Sequence, residues 1–171
     1  MKTYSQKIYL AAPIFNPLQI GVVEMLKESA EIRGHEVFSP YHNSVDIWQG
    51  RAPADCTPEE RAQVLYDNIT NIDWCDVLLC WVGGMGGFTD PGVVWEMGYA
   101  KKAGKFELAY IDERMDAERQ SMNLMLAGTV DAVVNTRLDI AVAMARLQEG
   151  FQETVDRFPA SVLGQEQEPI V

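Results

Sequence analysis

Short apolar runs alternate along this chain with longer segments in which apolar residues recur at helical spacing. The short runs predict β-strands at 7–12, 35–39, 77–82, 106–111 and 131–134. The run at 77–82 (VLLCWV) has no polar alternation, which is typical of a parallel strand covered on both faces. The segments between the runs predict helices at 17–34, 58–72, 91–103, 112–127 and 138–158.

Three of the predicted helices carry start signals. Asn16, Thr57 and Asp90 each precede a proline, and these residue types accept hydrogen bonds from the free amides of a first turn. Thr57 is also followed by Glu60 in a capping-box pattern. Strands and helices thus alternate about five times, which predicts a doubly wound α/β fold: a flavodoxin-like, five-stranded parallel sheet flanked by helices.

Ligands in such sheets bind outside the carboxyl ends of the strands, so we expect chemistry in the loops after strands one, three and four. With 171 residues, of which 47% are hydrophobic, the chain has the size of one domain. We expect a single domain over 1–171, with a loose polar tail at 164–171. The stretch 40–56 shows no clear period and is long for a connection, which is typical of a functional or mobile loop.

The net charge of −11 narrows the range of partners. Binding to the phosphates of nucleic acid needs clustered cations, so the acidic composition argues against a nucleic-acid-binding protein. An acidic surface would also be repelled by anionic membranes. No apolar run approaches the ~20 residues of a membrane span, and the first residues do not resemble a signal peptide. The three cysteines are odd in number and lack metal-ligand spacing, so we expect no disulfides, no metal site and a cytoplasmic location.

Glu96 is the most informative single residue. It lies about one and a half turns into the predicted helix at 91–103, among apolar neighbours. Charged residues are rarely buried unless paired, so this carboxylate is either a functional group at the ligand-binding edge or one solvated helical position. Asp90, six residues earlier, is by default a helix cap, and it reaches the same site only if it curls back over it.

Other segments carry weaker signals. The glycine-rich stretch 83–90 fits neither a dinucleotide fingerprint nor a P-loop, and is either a flexible turn or a loop that lets a ligand approach the backbone. Tyr9 and Phe15 lie near the carboxyl edge of strand one, although core packing is the ordinary role of aromatic residues. Asn123 is a polar residue in an apolar patch, which is otherwise explained as a solvated helical position.

Taken together, these segments resemble the nucleoside 2-deoxyribosyltransferase family. The resemblance covers about 7–127. It is carried, in the family's order, by KIYLAAPIF at 7–15, by 68–76 leading into VLLCWV, by 90–100 with Gly104 and Lys105, and by Asn123-Leu-Met125. The block at 90–100 is the most specific part, whereas 40–56 and the tail match poorly.

The resemblance implies a retaining transfer of 2-deoxyribose between nucleobases, with no cofactor. Glu96 matches the family nucleophile, which forms a covalent deoxyribosyl ester. Tyr9 matches a tyrosine that orients this nucleophile, and Asp90 matches the carboxylate that holds the sugar 5′-hydroxyl. We expect hydrogen bonds, rather than simple burial, to set the ionisation of Glu96. A carboxylate beside O5′ repels a 5′-phosphate, and AAPIFN (11–16) offers no Ser or Arg to meet one, so free nucleosides are favoured over monophosphates.

The resemblance also implies substrate contacts. Phe15 matches an aromatic residue beside the base, while Gly92 and Met125 stand in matching blocks and are expected to line the substrate site. Asn123 matches a residue that the family's oligomers donate to a neighbouring subunit's site, which implies a homo-oligomer. The expected partners are 2′-deoxynucleosides and free nucleobases, with ribonucleosides excluded by the bulky Tyr9 near the sugar.

One departure from the family pattern concerns the leaving base. Asn68 stands where many members have an Asp that handles this base. An amide can donate and accept hydrogen bonds but cannot deliver a proton as an acid. Either Asn68 only orients the base, or Asp67, Asp73 or water supplies the proton.

Rival functions stay open at this point. A nucleoside or nucleotide N-glycosidase would resolve the same intermediate with water, and the two activities differ mainly in how completely the site excludes water. A non-catalytic nucleotide-sensing domain would share the fold, since fold does not fix function. A flavodoxin-type electron carrier is disfavoured because no Ser/Thr-rich phosphate loop follows strand one.

Overall fold

The computed structural model of the chain describes residues 4–44, 53–83, 88–112 and 122–160. Within these ranges the strands are β1 (Lys7–Ala11), β2 (Glu36–Phe38), β3 (Val77–Trp81), β4 (Phe106–Tyr110) and β5 (Ala132–Val134). Every neighbouring pair is parallel, in the order β2-β1-β3-β4-β5. The predicted five-stranded parallel sheet is therefore confirmed, and its strand order is the flavodoxin-like one.

Helices connect the strands and cover both faces of the sheet. They are α1 (Pro17–Glu31), α2 (Pro40–Asn43), α3 (Pro58–Trp74), α4 (Pro91–Lys102), α5 (Leu124–Ala127), α6 (Arg137–Leu147) and α7 (Phe151–Arg157), and a 3-10 turn spans Pro53–Asp55. No helix in the described ranges is long and apolar enough to cross a membrane.

The predicted helix starts are present as hydrogen bonds. Oδ1 of Asn16 accepts from the amide of Gln19 at 3.0 Å, which closes the first turn of α1. At the start of α3, Thr57 and Glu60 form a reciprocal capping box, each side chain accepting from the other's backbone amide. Caps of this kind are each worth about 1 kcal/mol and fix where the chain enters the helix.

Alternation along the strands divides the core between the two faces of the sheet. Ile8 and Leu10 of β1 pack with α1 and α6 on one face. Tyr9 and Ala11 point to the opposite face, which α3 and α4 cover. The chain is thus doubly wound, and the strand order reverses between the adjacent strands β1 and β3, where a ligand-binding crevice is expected.

Some predicted helices and loops differ from the structure. A single helix over 138–158 is wrong, because Gly150 adopts φ +146°, a conformation that side chains rarely tolerate, and separates α6 from α7. The stretch 40–56 was expected to be irregular but begins with α2 and ends near the 3-10 turn. Within 112–127, helix is found at Leu124–Ala127. Residues 45–52, 84–87, 113–121 and the tail 164–171 lie outside the described residues.

Candidate active site

A buried tyrosine–glutamate pair links the sheet to α4. Tyr9 is the middle residue of β1, and its side chain leaves the sheet on the face that α4 covers. Glu96 lies on the same side of α4 as Val93, Met97 and Ala100, which pack against the sheet. The hydroxyl of Tyr9 donates to Oε1 of Glu96 at 2.7 Å. Glu96 is only 9% exposed, so the interpretation of this carboxylate as a solvated helical position is wrong.

The ionisation of Glu96 differs from the expectation. Burial is the largest influence and raises its pKa to about 7, with a smaller push from the charge of Asp90, while the Tyr9 hydroxyl acts in the opposite direction. Hydrogen bonding therefore moderates the effect of burial without overcoming it, because apolar neighbours on α4 exclude water around the carboxylate. Burial, reinforced by the charge of Glu96, raises the pKa of Tyr9, so this tyrosine stays a protonated donor.

Asn68 of α3 reaches the same carboxylate from another side. Its Nδ2 lies 3.5 Å from Glu96 Oε1, at the outer limit of a hydrogen bond. The two acidic alternatives near it are engaged elsewhere: Oδ1 of Asp67 accepts from Gln63, and the carboxylate of Asp73 accepts from Tyr99. Of these three predicted base-handling residues, only Asn68 contacts Glu96 among the described hydrogen bonds.

Asp90 is the N-cap of α4, as its sequence context predicts. Its Oδ1 accepts from the amides of Gly92 at 2.8 Å and Val93 at 3.2 Å, and its negative charge acts on Glu96. A Cβ built at Gly92 would lie 2.8 Å from this Oδ1, closer than side chains normally approach. The glycine therefore has a local role in holding the Asp90 carboxylate over the helix end, separate from its expected contact with substrate.

The remaining predicted residues lie on the surface. Phe15 follows β1 and is 63% exposed. Asn123 is exposed and caps α5, its Oδ1 accepting from the amide of Met125 at 2.9 Å. Met125 itself is 79% exposed. None of the hydrogen bonds described for this single chain joins Phe15, Asn123 or Met125 to Glu96, so their substrate roles stay predictions.

Phe38 is a neighbour of the site that the sequence reasoning missed. Its ring stacks on Tyr9 with centroids 5.5 Å apart, and the two residues are paired in register between β1 and β2. The sequence placed both aromatic residues in predicted strands, but their pairing depends on the register of β1 against β2, which the spacing along the chain does not give. Phe38 supports the ring whose hydroxyl holds Glu96.

The pair and its neighbours form a site suited to acid–base or nucleophilic chemistry. A carboxyl with a pKa near 7 is poised between its two states at neutral pH, and the donors fix its orientation. Two residues that act on the Glu96 carboxylate lie near the expected crevice between β1 and β3: Tyr9 is on β1, and Asp90 is at the end of the connection from β3 to α4. Within the described residues, no group of three His, Cys, Asp or Glu side chains could hold a metal ion.

Comparison with known proteins gives the site a family context. The chain matches a family model described as nucleoside 2-deoxyribosyltransferase over residues 8–125. Among solved structures it is similar to a 2-deoxyribosyltransferase from the psychrotolerant bacterium Bacillus psychrosaccharolyticus, with 26% sequence identity, a TM-score of 0.65, and 78% of this chain and 89% of that chain covered. No match was found among curated proteins.

Two further structures share the fold at lower identity. One is a conserved protein from Enterococcus faecalis V583, with 20% identity, a TM-score of 0.62, and 88% of this chain and 99% of that chain covered. The other is a CMP N-glycosidase from Clostridium botulinum, with 18% identity, a TM-score of 0.50, and 77% of this chain and 91% of that chain covered.

The family model spans more than half of the chain and runs from β1 into α5. It includes the Tyr9–Glu96 pair, Asn68 and the Asp90 cap. The chain therefore belongs to the nucleoside 2-deoxyribosyltransferase family.

Proposed function

We propose that this protein transfers 2-deoxyribose between nucleobases through a covalent deoxyribosyl ester on Glu96. Membership of the family supports an enzyme that acts on nucleosides. The observation that carries the finer proposal is the buried Glu96 carboxylate, held by the Tyr9 hydroxyl at 2.7 Å beside the crevice between β1 and β3.

In the first step the Glu96 carboxylate attacks C1′ of a 2′-deoxynucleoside. A bond forms between a carboxylate oxygen and C1′ while the C1′–N bond breaks, and the base leaves with that electron pair and takes up a proton. The transition state resembles an oxocarbenium ion. Water supplies the proton in this proposal, because Asn68 is not an acid and the carboxylates of Asp67 and Asp73 accept other hydrogen bonds.

In the second step a free base attacks C1′ of the ester from the face that the first base left. The new C1′–N bond forms as the ester bond breaks, the carboxylate of Glu96 is restored, and the incoming base loses a proton. Two inversions give net retention at C1′. Because only the ionised carboxylate attacks, kcat/KM should fall as the pH drops below about 7, the pKa of Glu96.

The neighbours of the pair suggest how the sugar is selected. Asp90 presents a negative charge at the start of α4, which suits a 5′-hydroxyl and disfavours a 5′-phosphate. Tyr9 is buried and lies beside the nucleophile, and we expect its ring to exclude a 2′-hydroxyl. Comparing inosine with deoxyinosine as donors tests this selection, and equal rates would contradict it.

We propose that the protein assembles as a homo-oligomer in which Asn123 serves a neighbouring subunit's site. Asn123 is exposed beside Leu124 and Met125, two apolar side chains that a monomer would leave in water. Light scattering should give a mass above that of one chain. Mixing Glu96→Gln and Asn123→Ala variants should restore activity that each variant lacks alone, provided subunits exchange.

The function is tested by incubating the protein with deoxyinosine, with and without adenine. A transferase makes deoxyadenosine only when adenine is present. Release of hypoxanthine and free deoxyribose at the same rate with or without adenine would identify an N-glycosidase instead. A Glu96→Ala variant as active as the wild type would contradict the mechanism, and binding without turnover in the wild type would indicate a nucleotide-sensing domain.

A further inference from the structure

The two polar ends of the Asn68 amide have different surroundings. Its Nδ2 approaches Oε1 of Glu96 at 3.5 Å, whereas its Oδ1 is buried and has no hydrogen-bond partner among the described residues. Buried polar atoms are normally satisfied, so an amide kept only to stabilise α3 would have both ends paired. The one side-chain hydrogen bond found for Asn68 in the described part of the chain runs to Glu96.

The hydrogen bonds to Glu96 are also unevenly shared between its two oxygens. The Tyr9 hydroxyl and Asn68 Nδ2 both converge on Oε1, from β1 and from α3. No donor among the described residues reaches Oε2. An oxygen that already accepts two hydrogen bonds has little lone-pair density left for attack, while its partner oxygen is free to approach carbon.

We propose that Asn68 is a positioning residue for the nucleophile: together with Tyr9 it holds Oε1 of Glu96, so that Oε2 is the oxygen that attacks C1′. The inference rests on the proposed function and specifies how its nucleophile is oriented. Hydrogen bonds at active sites are often long in the free enzyme and shorten when substrate binds, so we expect the 3.5 Å contact to shorten in the complex with substrate, before the carboxylate reacts. In this role Asn68 acts on Glu96, and protonation of the leaving base is left to another group.

A donor to an ionised carboxylate favours the ionised state, which makes the pKa of Glu96 a direct readout. Asn68→Leu removes the donor at similar size and should raise this pKa by about half a unit. Asn68→Asp replaces the donor with a second carboxylate and should raise the upper apparent pKa of the resulting pair by about one unit or more. The other titratable groups facing Glu96 stay unchanged in both variants: Tyr9 from β1, Asp90 from the start of α4 and Cys80 from β3.

Asn71 supplies the matched control. It is an asparagine on the same helix, and its Nδ2 donates to the backbone carbonyl of Asp67 at 2.7 Å instead of to Glu96. Asn71→Leu removes an amide of the same kind from α3 and should leave the titration of Glu96 unchanged. A shift seen equally in both leucine variants would mean that loosening of α3, and not a lost contact, moves the pKa.

The experiment is a ¹³C NMR pH titration of the Glu96 side-chain carboxyl in the full chain, assigned by the signal that Glu96→Gln removes. We expect upward shifts in Asn68→Leu and Asn68→Asp, none in Asn71→Leu, and the same upward movement of the acid limb of kcat/KM. The proposal would be overturned if the pKa of Glu96 in both Asn68 variants equalled that of the wild type. If Asn68→Leu does not fold, the titration of Asn68→Asp alone decides. The titration needs no turnover, so it separates this proposal from the proposed function. If the Asn68 variants shift the pKa of Glu96 but the wild-type protein shows no base exchange, Asn68 positions Glu96 and the proposed function is rejected.

Discussion

Two buried glutamates in this protein look alike in isolation. Glu96 on α4 and Glu107 on β4 are both buried, and burial is the largest influence that raises the pKa of each to about 7. The strand register pairs Tyr9 with Leu78, and Leu78 with Glu107, so the three residues form one row across the sheet. The backbones of Tyr9 and Glu107 are therefore two strand spacings apart, roughly 10 Å. All three side chains belong to the face that α3 and α4 cover.

The difference between them lies in their partners. Oε1 of Glu96 accepts from Tyr9 and lies near Asn68, whereas neither oxygen of Glu107 has a hydrogen-bond partner among the described residues. Thr129 lies beside Glu107 but donates to the carbonyl of Leu126, and Lys101 pairs with Asp131. A raised carboxyl pKa therefore reports burial in both places, and converging donors beside the crevice distinguish the candidate nucleophile.

The largest difference between the two glutamates is expected when each is neutralised in turn. Glu96→Gln should lower kcat/KM for base exchange by about a thousandfold or more, because the nucleophile is lost. Glu107→Gln makes the same chemical change on the same face of the sheet and should alter kcat/KM by no more than about threefold. Initial rates with deoxyinosine and adenine measure both effects, and comparable losses in the two variants would remove the distinction.

A smaller effect is expected when the donor to Glu96 is removed. Tyr9→Phe keeps the ring that stacks on Phe38 and deletes only the hydroxyl. A hydrogen bond to a charged group is worth about 1.5–3 kcal/mol, so kcat/KM at pH 7 should fall by about 10- to 100-fold and the acid limb should move upward. A pH–rate profile checks both changes. An acid limb that stays in place would show that Tyr9 does not control the ionisation of Glu96.

Glu107 should affect how the free energy of unfolding depends on pH. Its pKa is about 7 in the folded chain and near 4.5 when unfolded, so the folded state binds more protons between these values. Stability from this group is fully present below about pH 4.5 and is lost as the pH rises through about 7. The folded pKa already includes the lowering effects of Thr129 and Lys101, and its distance from 4.5 corresponds to a change of at most about 3 kcal/mol.

Glu107→Gln should flatten this loss, which urea unfolding at several pH values measures. Exposed Glu28 provides the control, since Glu28→Gln should leave the pH slope as in the wild type. An unchanged slope in Glu107→Gln would mean that Glu107 is not the buried acid responsible.

The smallest effect is expected from the charge beside Glu96. Asp90→Asn keeps a residue that caps helices well and removes the negative charge that raises the pKa of Glu96. The acid limb of kcat/KM should move down by a fraction of a pH unit, and use of a deoxynucleoside 5′-monophosphate relative to the nucleoside should rise by a few-fold. A ratio of the two substrates equal to that of the wild type would contradict the role of Asp90 at O5′.

Much of the fold was predictable from local sequence patterns, namely apolar runs and helix-capping residues. The five strands and the caps at Asn16, Thr57 and Asp90 are determined by neighbouring residues, so they are visible in the sequence. The break at Gly150 was missed because an isolated glycine in an amphipathic segment is compatible with a continuous helix as well as with a turn.

The candidate site was only partly predictable for a different reason. Glu96 stood out as a charge in an apolar helix, yet Glu107 carries the same signal within the apolar strand FELAY and was passed over. What separates them is tertiary: Tyr9 is 87 positions from Glu96 along the chain, and only the packing of α4 on β1 brings them together. The balance between burial and hydrogen bonding at Glu96 depends on that packing and could not be read from spacing.

A covalent bond between Glu96 and the sugar is directly visible by mass spectrometry. The protein is exposed briefly to deoxyinosine, denatured in acid, digested and analysed peptide by peptide. We expect a deoxyribosyl adduct on the peptide containing Glu96, which disappears in Glu96→Gln and on addition of adenine before quenching. An actively exchanging wild-type protein that carries no adduct, or carries it on another residue, would show that Glu96 is not the nucleophile.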